Sequence, residues 1–152
     1  MEETSVFEKF EMQLDSTAKD FLREATKWAY FLAIMGFIGI AFLVIIAIFA
    51  GAIFSTMAST VPGMGIYGGS FGAIISFVYL LLAVLYFFPV YYLFKFASNG
   101  KKAFRESDSE ALTASFGYLK SHYKFVGIFT IILLSLYGLI IVFAALGGLL
   151  AR

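Results

Sequence analysis

The sequence predicts an all-α integral membrane protein, a bundle of three transmembrane helices with amphipathic cytoplasmic helical extensions. Three observations lead there. Hydrophobic residues make up 61% of the 152, charged residues 14%, and the mean hydropathy is +0.91. A soluble domain carries about 45–50% apolar and about 25% charged residues. No Asp, Glu, Lys or Arg occurs from Trp28 to Phe94, nor from Phe125 to Ala151. Because a helix needs about 20 apolar residues to cross about 30 Å of hydrocarbon, the second block suits one span and the first suits two. A soluble globule, a disordered chain and a nucleic-acid module are excluded by composition.

Residues 1–15 read as a cytoplasmic tail, with Glu2, Glu3, Glu8 and Glu11 among scattered apolar residues. Asp15, Ser16 and Thr17 suit a helix N-cap. After them Ala18, Phe21, Leu22, Ala25, Trp28, Ala29 and Leu32 recur at helical spacing. Residues 16–27 are therefore the cytoplasmic start of the first helix, which continues into span 1, residues 28–54. This span is no cleaved signal peptide, because its apolar run far exceeds the about 7–15 residues of such a core. The Ser/Thr cluster from Ser55 to Thr60, Pro62 and the glycines up to Gly72 predict an external loop over 55–72. Within it, Gly65-Ile66-Tyr67-Gly68-Gly69 is faintly similar to a potassium-channel filter. Such a filter needs a pore helix in a re-entrant loop, and this interval is too short for one.

Span 2 covers residues 73–97, with Pro89 expected to kink it. Asn99-Gly100 reads as a helix stop. Residues 98–122 form a cytoplasmic loop and amphipathic helix. Ser107-Asp108-Ser109-Glu110 matches a capping box in which Ser107 is the cap, and Leu112, Phe116, Leu119, Tyr123 and Val126 mark the apolar face. That face reads as a membrane-surface linker or as a docking face for a cytoplasmic partner. The amphipathic helix, with a bend expected at Gly117, runs into span 3, which covers residues 123–150.

Small residues let membrane helices approach closely. They fall on stripes in all three spans: Ala29, Ala33, Gly36, Ala47 and Ala50; Gly72, Ser76 and Ala83; Gly127, Gly138, Ala145 and Gly148. These stripes are expected to face one another or a second copy.

Ten of the eleven basic residues lie before span 1 or between spans 2 and 3. The positive-inside rule makes that side cytoplasmic. The expected location is the bacterial inner membrane, multi-pass, with the N-terminus inside and the C-terminus outside. Trp28, Tyr30 and Phe31 beside Lys27, Tyr91 to Phe96 around Lys95, and Tyr118 to Phe125 around Lys124 read as interfacial belts.

Site chemistry is sparse. There is no cysteine, so disulfides, thiolate metal sites and cysteine nucleophiles are excluded. His122, the single histidine, lies between Lys120 and Lys124 at the interface, where it forms no intramembrane dyad. The mid-span polar groups are Ser76, Tyr79, Thr130, Ser135 and Tyr137. The sequence accordingly offers no catalytic, cofactor-binding or metal-ligating residue, and no cofactor and no enzyme activity are expected. With a net charge of +1, nucleic acid is not an expected partner.

The segments YFFPVYYLFKFASNGKKAF, Ser107–Leu112 and SFGYLKSHYKFVGI resemble a family of small bacterial membrane proteins, mostly from Bacteroidetes, known only as a domain of unknown function. LDSTAKDFLREATKWAYFLAIMGFIGI is similar to its N-terminal helix. The resemblance is weakest before residue 14 and in the external loop. It implies location and topology, and it carries over no functional residue. The function expected is that of a non-enzymatic accessory or scaffold subunit whose partners are the lipid bilayer and either itself or another membrane protein. The alternative is a component of an oligomeric pore or small-molecule transporter.

Overall fold

The computed structural model describes residues 15–61, 63 and 65–150, with the side chains of 65–69 and 148–150 excepted. The acidic tail before Asp15, Pro62 and the side chain of Gly148's neighbourhood lie outside the described residues. Three helices account for the rest: α1, Ser16–Thr60; α2, Gly65–Glu106; and α3, Ser109–Leu150. All three are long and apolar enough to cross a membrane. At about 1.5 Å per residue, each exceeds 60 Å, roughly twice the thickness of a bilayer core.

Helix α2 is the shared partner. It runs antiparallel to α1 along almost the whole length of both, from Ser76 beside Ala47 to Gly100 beside Thr26. It runs antiparallel to α3 only through its basic end, from Phe96 beside Ser115 to Phe88 beside Phe125. Among the described residues the backbones of α1 and α3 never come close.

The small-residue stripes of α1 and α2 meet as expected. Ala29, Ala33, Ala47 and Ala83 are buried. A Cβ at Gly36 would lie 2.7 and 2.9 Å from the two methyls of Val90, and one at Gly72 would lie 2.9 Å from Phe54 Cβ. The stripe of α3 does not meet α2. Nothing lies within 4 Å of a Cβ built at Gly127 or Gly138, and every residue from Ile131 to Gly147 is exposed.

The helices run into the predicted loop from both sides and leave only residues 61–64 between them. The Ser/Thr cluster does not break α1, because each hydroxyl bonds back to a carbonyl three or four residues earlier. Ser55 and Thr56 donate to Ala52, and Ser59 and Thr60 to Thr56. Such back-bonding satisfies the hydroxyl inside a helix. The filter-like Gly65–Gly69 is the helical start of α2. Asn99-Gly100 is no stop either, since α2 continues to Glu106. Asn99 donates to the carbonyl of Lys95 at 2.9 Å, and Gly100 is kept small by a helix crossing. Helix α2 is also unbroken through Pro89, as α3 is through Gly117.

The turn between α2 and α3 consists of Ser107 and Asp108. Asp108, not Ser107, caps α3: its Oδ1 accepts from the amides of Glu110 at 2.9 Å and Ala111 at 3.0 Å. Ser107 has a left-handed φ of 52° in the turn between the two helices. The cap of α1 is Asp15, whose carboxylate accepts from the Ser16 hydroxyl at 3.1 Å and from no first-turn amide.

Candidate functional site at the basic end

The most elaborate packing lies where all three helices meet. Gly100 is its centre. A Cβ at Gly100 would collide with the Thr26 methyl of α1 and lie 3.2 Å from the Ser115 hydroxyl of α3. Thr26 and Ser115 are each only 1% exposed, and Ala97 is 0% exposed. Neither hydroxyl is orphaned. Thr26 donates to the carbonyl of Arg23 on its own helix at 2.8 Å, while Ser115 donates across helices to the carbonyl of Phe96 at 2.8 Å. A glycine and two short hydroxyl side chains let α1 and α3 each pack closely on α2 with their polar groups satisfied, as close packing in apolar surroundings requires.

This crossing corrects the predicted apolar faces. On α3 the sequence points to Leu112, Phe116, Leu119 and Tyr123. The structure buries Ala111 and Ser115 and half-buries Leu112, Tyr118, Leu119 and His122, so Leu112 and Leu119 lie on the packed face as expected and the other two do not. Phe116 and Tyr123 point outwards, at 42% and 67% exposure. On α1 the predicted face holds at Ala29, which is buried, and at Ala18 and Leu22, which are half-buried, while Thr26 and Ala33 are buried beside it and Phe21, Trp28 and Leu32 are exposed. Large apolar residues dominate a periodicity reading, but helix crossings select small ones. The readable signal was Thr26, Gly100 and Ser115 themselves, small residues set among larger ones.

An aromatic ladder ties the helices together above the crossing. Ring centroids are 5.6 Å apart for Tyr30 and Phe94, 5.8 Å for Phe94 and Phe37, and 6.1 Å for Phe37 and Phe87. The ladder continues through Phe88 to Phe125, 6.0 Å away on α3. Lys101 Nζ closes its basic end, 3.4 Å from the centroid of Tyr30. A desolvated cation over a ring contributes up to about 2 kcal/mol, an exposed one about 0.5–1 kcal/mol.

His122 sits at the last polar contact between α2 and α3. Its Nδ1 lies 2.8 Å from the carbonyl oxygen of Pro89. A carbonyl only accepts, so Nδ1 carries the proton. Beyond this bond the two helices leave an open apolar cleft of about 270 Å³ lined by Leu85, Tyr86, Pro89, Phe125, Phe129 and Leu133. Proline has no amide to give to Leu85, so the carbonyl of Leu85, one of the lining residues, lacks its helical donor.

The other polar residues singled out in the spans are not gathered. Ser76 donates to the carbonyl of Ala47 at 2.6 Å, a bond between α1 and α2. Thr130 and Ser135 donate to carbonyls of their own helix. Tyr137 is exposed on the unpacked part of α3. Among the described residues no three His, Asp or Glu side chains come together. At the α2–α3 turn, Lys102 lies 3.5 Å from Asp108 and 4.0 Å from Glu106. The Ala111 amide foremost, with Lys102 and the Glu110 amide, holds the Asp108 carboxyl below its ordinary value of 3.8.

Residues 54–145 match a profile described as a family of unknown function, DUF5362. No curated protein and no solved structure matches the chain.

Proposed function

The chain belongs to DUF5362, a family of unknown function, and from that premise we propose that it is a non-enzymatic accessory or scaffold protein of the bacterial inner membrane. Its N-terminus and its α2–α3 turn would lie in the cytoplasm, and the turn between α1 and α2 outside. The observation that supports a scaffold role is the contrast along α3. Its first half is locked to α2, and its second half is an apolar helix exposed at every residue from Ile131 to Gly147. In this reading the basic end holds α3 in place, and the free half engages a membrane helix of another copy or another protein. The charge asymmetry between the two ends supports the orientation.

Cross-linking in native membranes followed by mass spectrometry tests the role. A defined species joined through residues 131–147 is the expected result. Recovery of uncross-linked monomer alone, at expression levels that preserve the native ratio, would remove the scaffold reading. Orientation is tested separately. A phosphatase active only outside the cytoplasm should work when fused after Arg152 and be silent when fused at Lys101, and the reverse pattern would invert the topology.

A further inference from the structure

Helices that cross one bilayer side by side should lose their charges at one depth, and on the basic side these three do not. The packing fixes a common level. Gly36 of α1 faces Val90 of α2, and His122 of α3 bonds the carbonyl of the adjacent Pro89. The last charge of α1, Lys27, lies nine residues to the basic side of that level, and the charge that ends the apolar part of α2, Lys95, lies five. On α3 the charge-free stretch begins only at Phe125, so Lys124 lies two residues to the other side. At about 1.5 Å per residue, the step from Lys27 to Lys124 is about 16 Å, more than a lysine side chain can span. Levelling it by tilting the bundle, across two interaxial distances of about 9 Å, would take about 40°, the limit for membrane helices.

We propose that α3 sets the boundary: Lys120, Tyr123 and Lys124 bind anionic phospholipid headgroups and hold the hydrocarbon edge at the level of Gly36, Pro89 and His122. The inference needs the chain to cross a bilayer and is independent of the scaffold role.

Charge argues for this occupant. Lys120 and Lys124, four residues apart, share one face of α3. Both are exposed, and Tyr123 beside them is 67% exposed. Helix α3 has no Asp or Glu after Glu110, and α2 has none before Glu106. Among the described residues the ion pairs are confined to Lys102 and Arg105 at the turn. Two ammonium groups at the edge of an apolar span, with no carboxylate to neutralise them, are matched by an anionic leaflet. A phenol at the same level suits the headgroup layer.

Length argues for this depth. Counted from the charges, the apolar part of α1, Trp28–Thr60, is about 50 Å long and that of α2, Gly65–Phe94, about 45 Å, against a hydrocarbon core of about 30 Å. Counted from the level of Lys124, α1 from Ile38 is about 35 Å, α2 up to Phe88 about 36 Å and α3 from Phe125 about 39 Å. Three similar lengths, slightly above the core thickness, are absorbed by an ordinary tilt of about 20°. Trp28 then stands about 12 Å outside the hydrocarbon, past a headgroup layer of about 5–8 Å.

Trp28 is the only tryptophan, so its emission from the full chain in vesicles reports this depth. In phosphatidylcholine with phosphatidylglycerol, iodide in the water should quench it, and bromine on the upper acyl chain should not. Spin-labelled phosphatidylglycerol should be retained at the protein in preference to spin-labelled phosphatidylcholine. Lys120→Gln combined with Lys124→Gln should abolish that preference and raise bromine quenching of Trp28 at least threefold, as α3 sinks. Lys120→Arg combined with Lys124→Arg should keep both wild-type readings. Lys19→Gln combined with Arg23→Gln, which removes the same charge from α1, should keep the lipid preference. Circular dichroism checks that the helices remain in each variant. Strong bromine quenching of Trp28 in the unaltered chain would overturn the proposed depth. A lipid preference that survives the glutamine pair on α3, or that the pair on α1 removes equally, would overturn the headgroup site.

Discussion

At Gly100, α1 and α3 both lie against α2 with Thr26, Ala97 and Ser115 almost wholly buried, whereas from Ile131 to Gly147 every residue of α3 is exposed. The second region is the more apolar, and it too contains a small residue, Gly138. Neither property brings it a neighbour. What the crossing has in addition is matching smallness on each helix and a hydroxyl that donates to the neighbour's backbone, Ser115 to Phe96. Ser76 makes the same kind of bond between α1 and α2. Thr130 and Ser135 spend their hydroxyls on their own helix. In an apolar chain, hydrophobicity places a helix in the membrane, while fit and interhelical bonding decide what it packs against.

The largest effect should come from exchanging the glycines' environments. Gly100→Leu should destabilise the protein by about 3 kcal/mol or more, the upper range for overpacking, because its side chain meets Thr26 and Ser115 from both neighbours at once. Gly138→Leu should leave thermal stability in detergent unchanged. Equal melting of the two variants would erase the contrast.

Next comes Gly36, which faces a side chain of one neighbouring helix rather than side chains of two. Gly36→Ala should cost about 1–3 kcal/mol, and Val90→Ala should recover most of it, since the colliding atoms are the Val90 methyls. A double-mutant cycle in thermal melts measures the recovery, and a coupling near zero would mean that the helices separate there.

Smaller again is the interhelical hydroxyl. Ser76→Ala should cost about 0.6 kcal/mol, the average for such bonds between membrane helices, while Ser135→Ala should cost nothing. A loss at Ser135 equal to that at Ser76 would give the far half of α3 a partner in the folded protein.

The smallest effect concerns the turn that delivers α3 to the crossing. The carboxyl of Asp108 is held below its ordinary value, so its contribution is complete above that value and disappears as pH falls through the lowered one. Exchange at the amides of Glu110 and Ala111 should not vary between pH 5 and 8 beyond its intrinsic rate. It should accelerate only on acidification below about 3.8. Asp108→Asn should abolish that acid step, and Ser107→Ala should leave it intact. An acid step that depends on Ser107 would restore the serine as the cap.

Much of this architecture was legible in the sequence. Two charge-free stretches, the first long enough for two spans, give three helices, and Gly36, Gly72, Ala47 and Ala83 mark the contact between α1 and α2. Charge and small-residue spacing are local properties, and they survive translation into structure. The misread positions share a cause. Gly100, Ser107 and Ser55 to Thr60 are residues whose role depends on what lies beside them. A glycine serves a stop or a crossing, and a serine serves a cap or a back-bond. At the crossing, the apolar faces hold at Leu22, Ala29, Leu112 and Leu119 and fail at Phe21, Trp28, Phe116 and Tyr123, because a neighbouring helix, invisible in one-dimensional periodicity, selects the smaller residues.

The early end of the contact between α2 and α3 has a consequence for hydrophobic mismatch. In a bilayer, α1 and α2 brace each other through their whole apolar length, so a change in thickness has to tilt them as a pair. Helix α3 is held only below Leu133, with Gly100 and the His122–Pro89 bond as its fulcrum. Tilting of its free half breaks no contact, and mismatch costs only fractions of a kcal/mol per ångström. Lipid chain length therefore acts on the angle between α2 and α3 before it acts on anything else in the molecule.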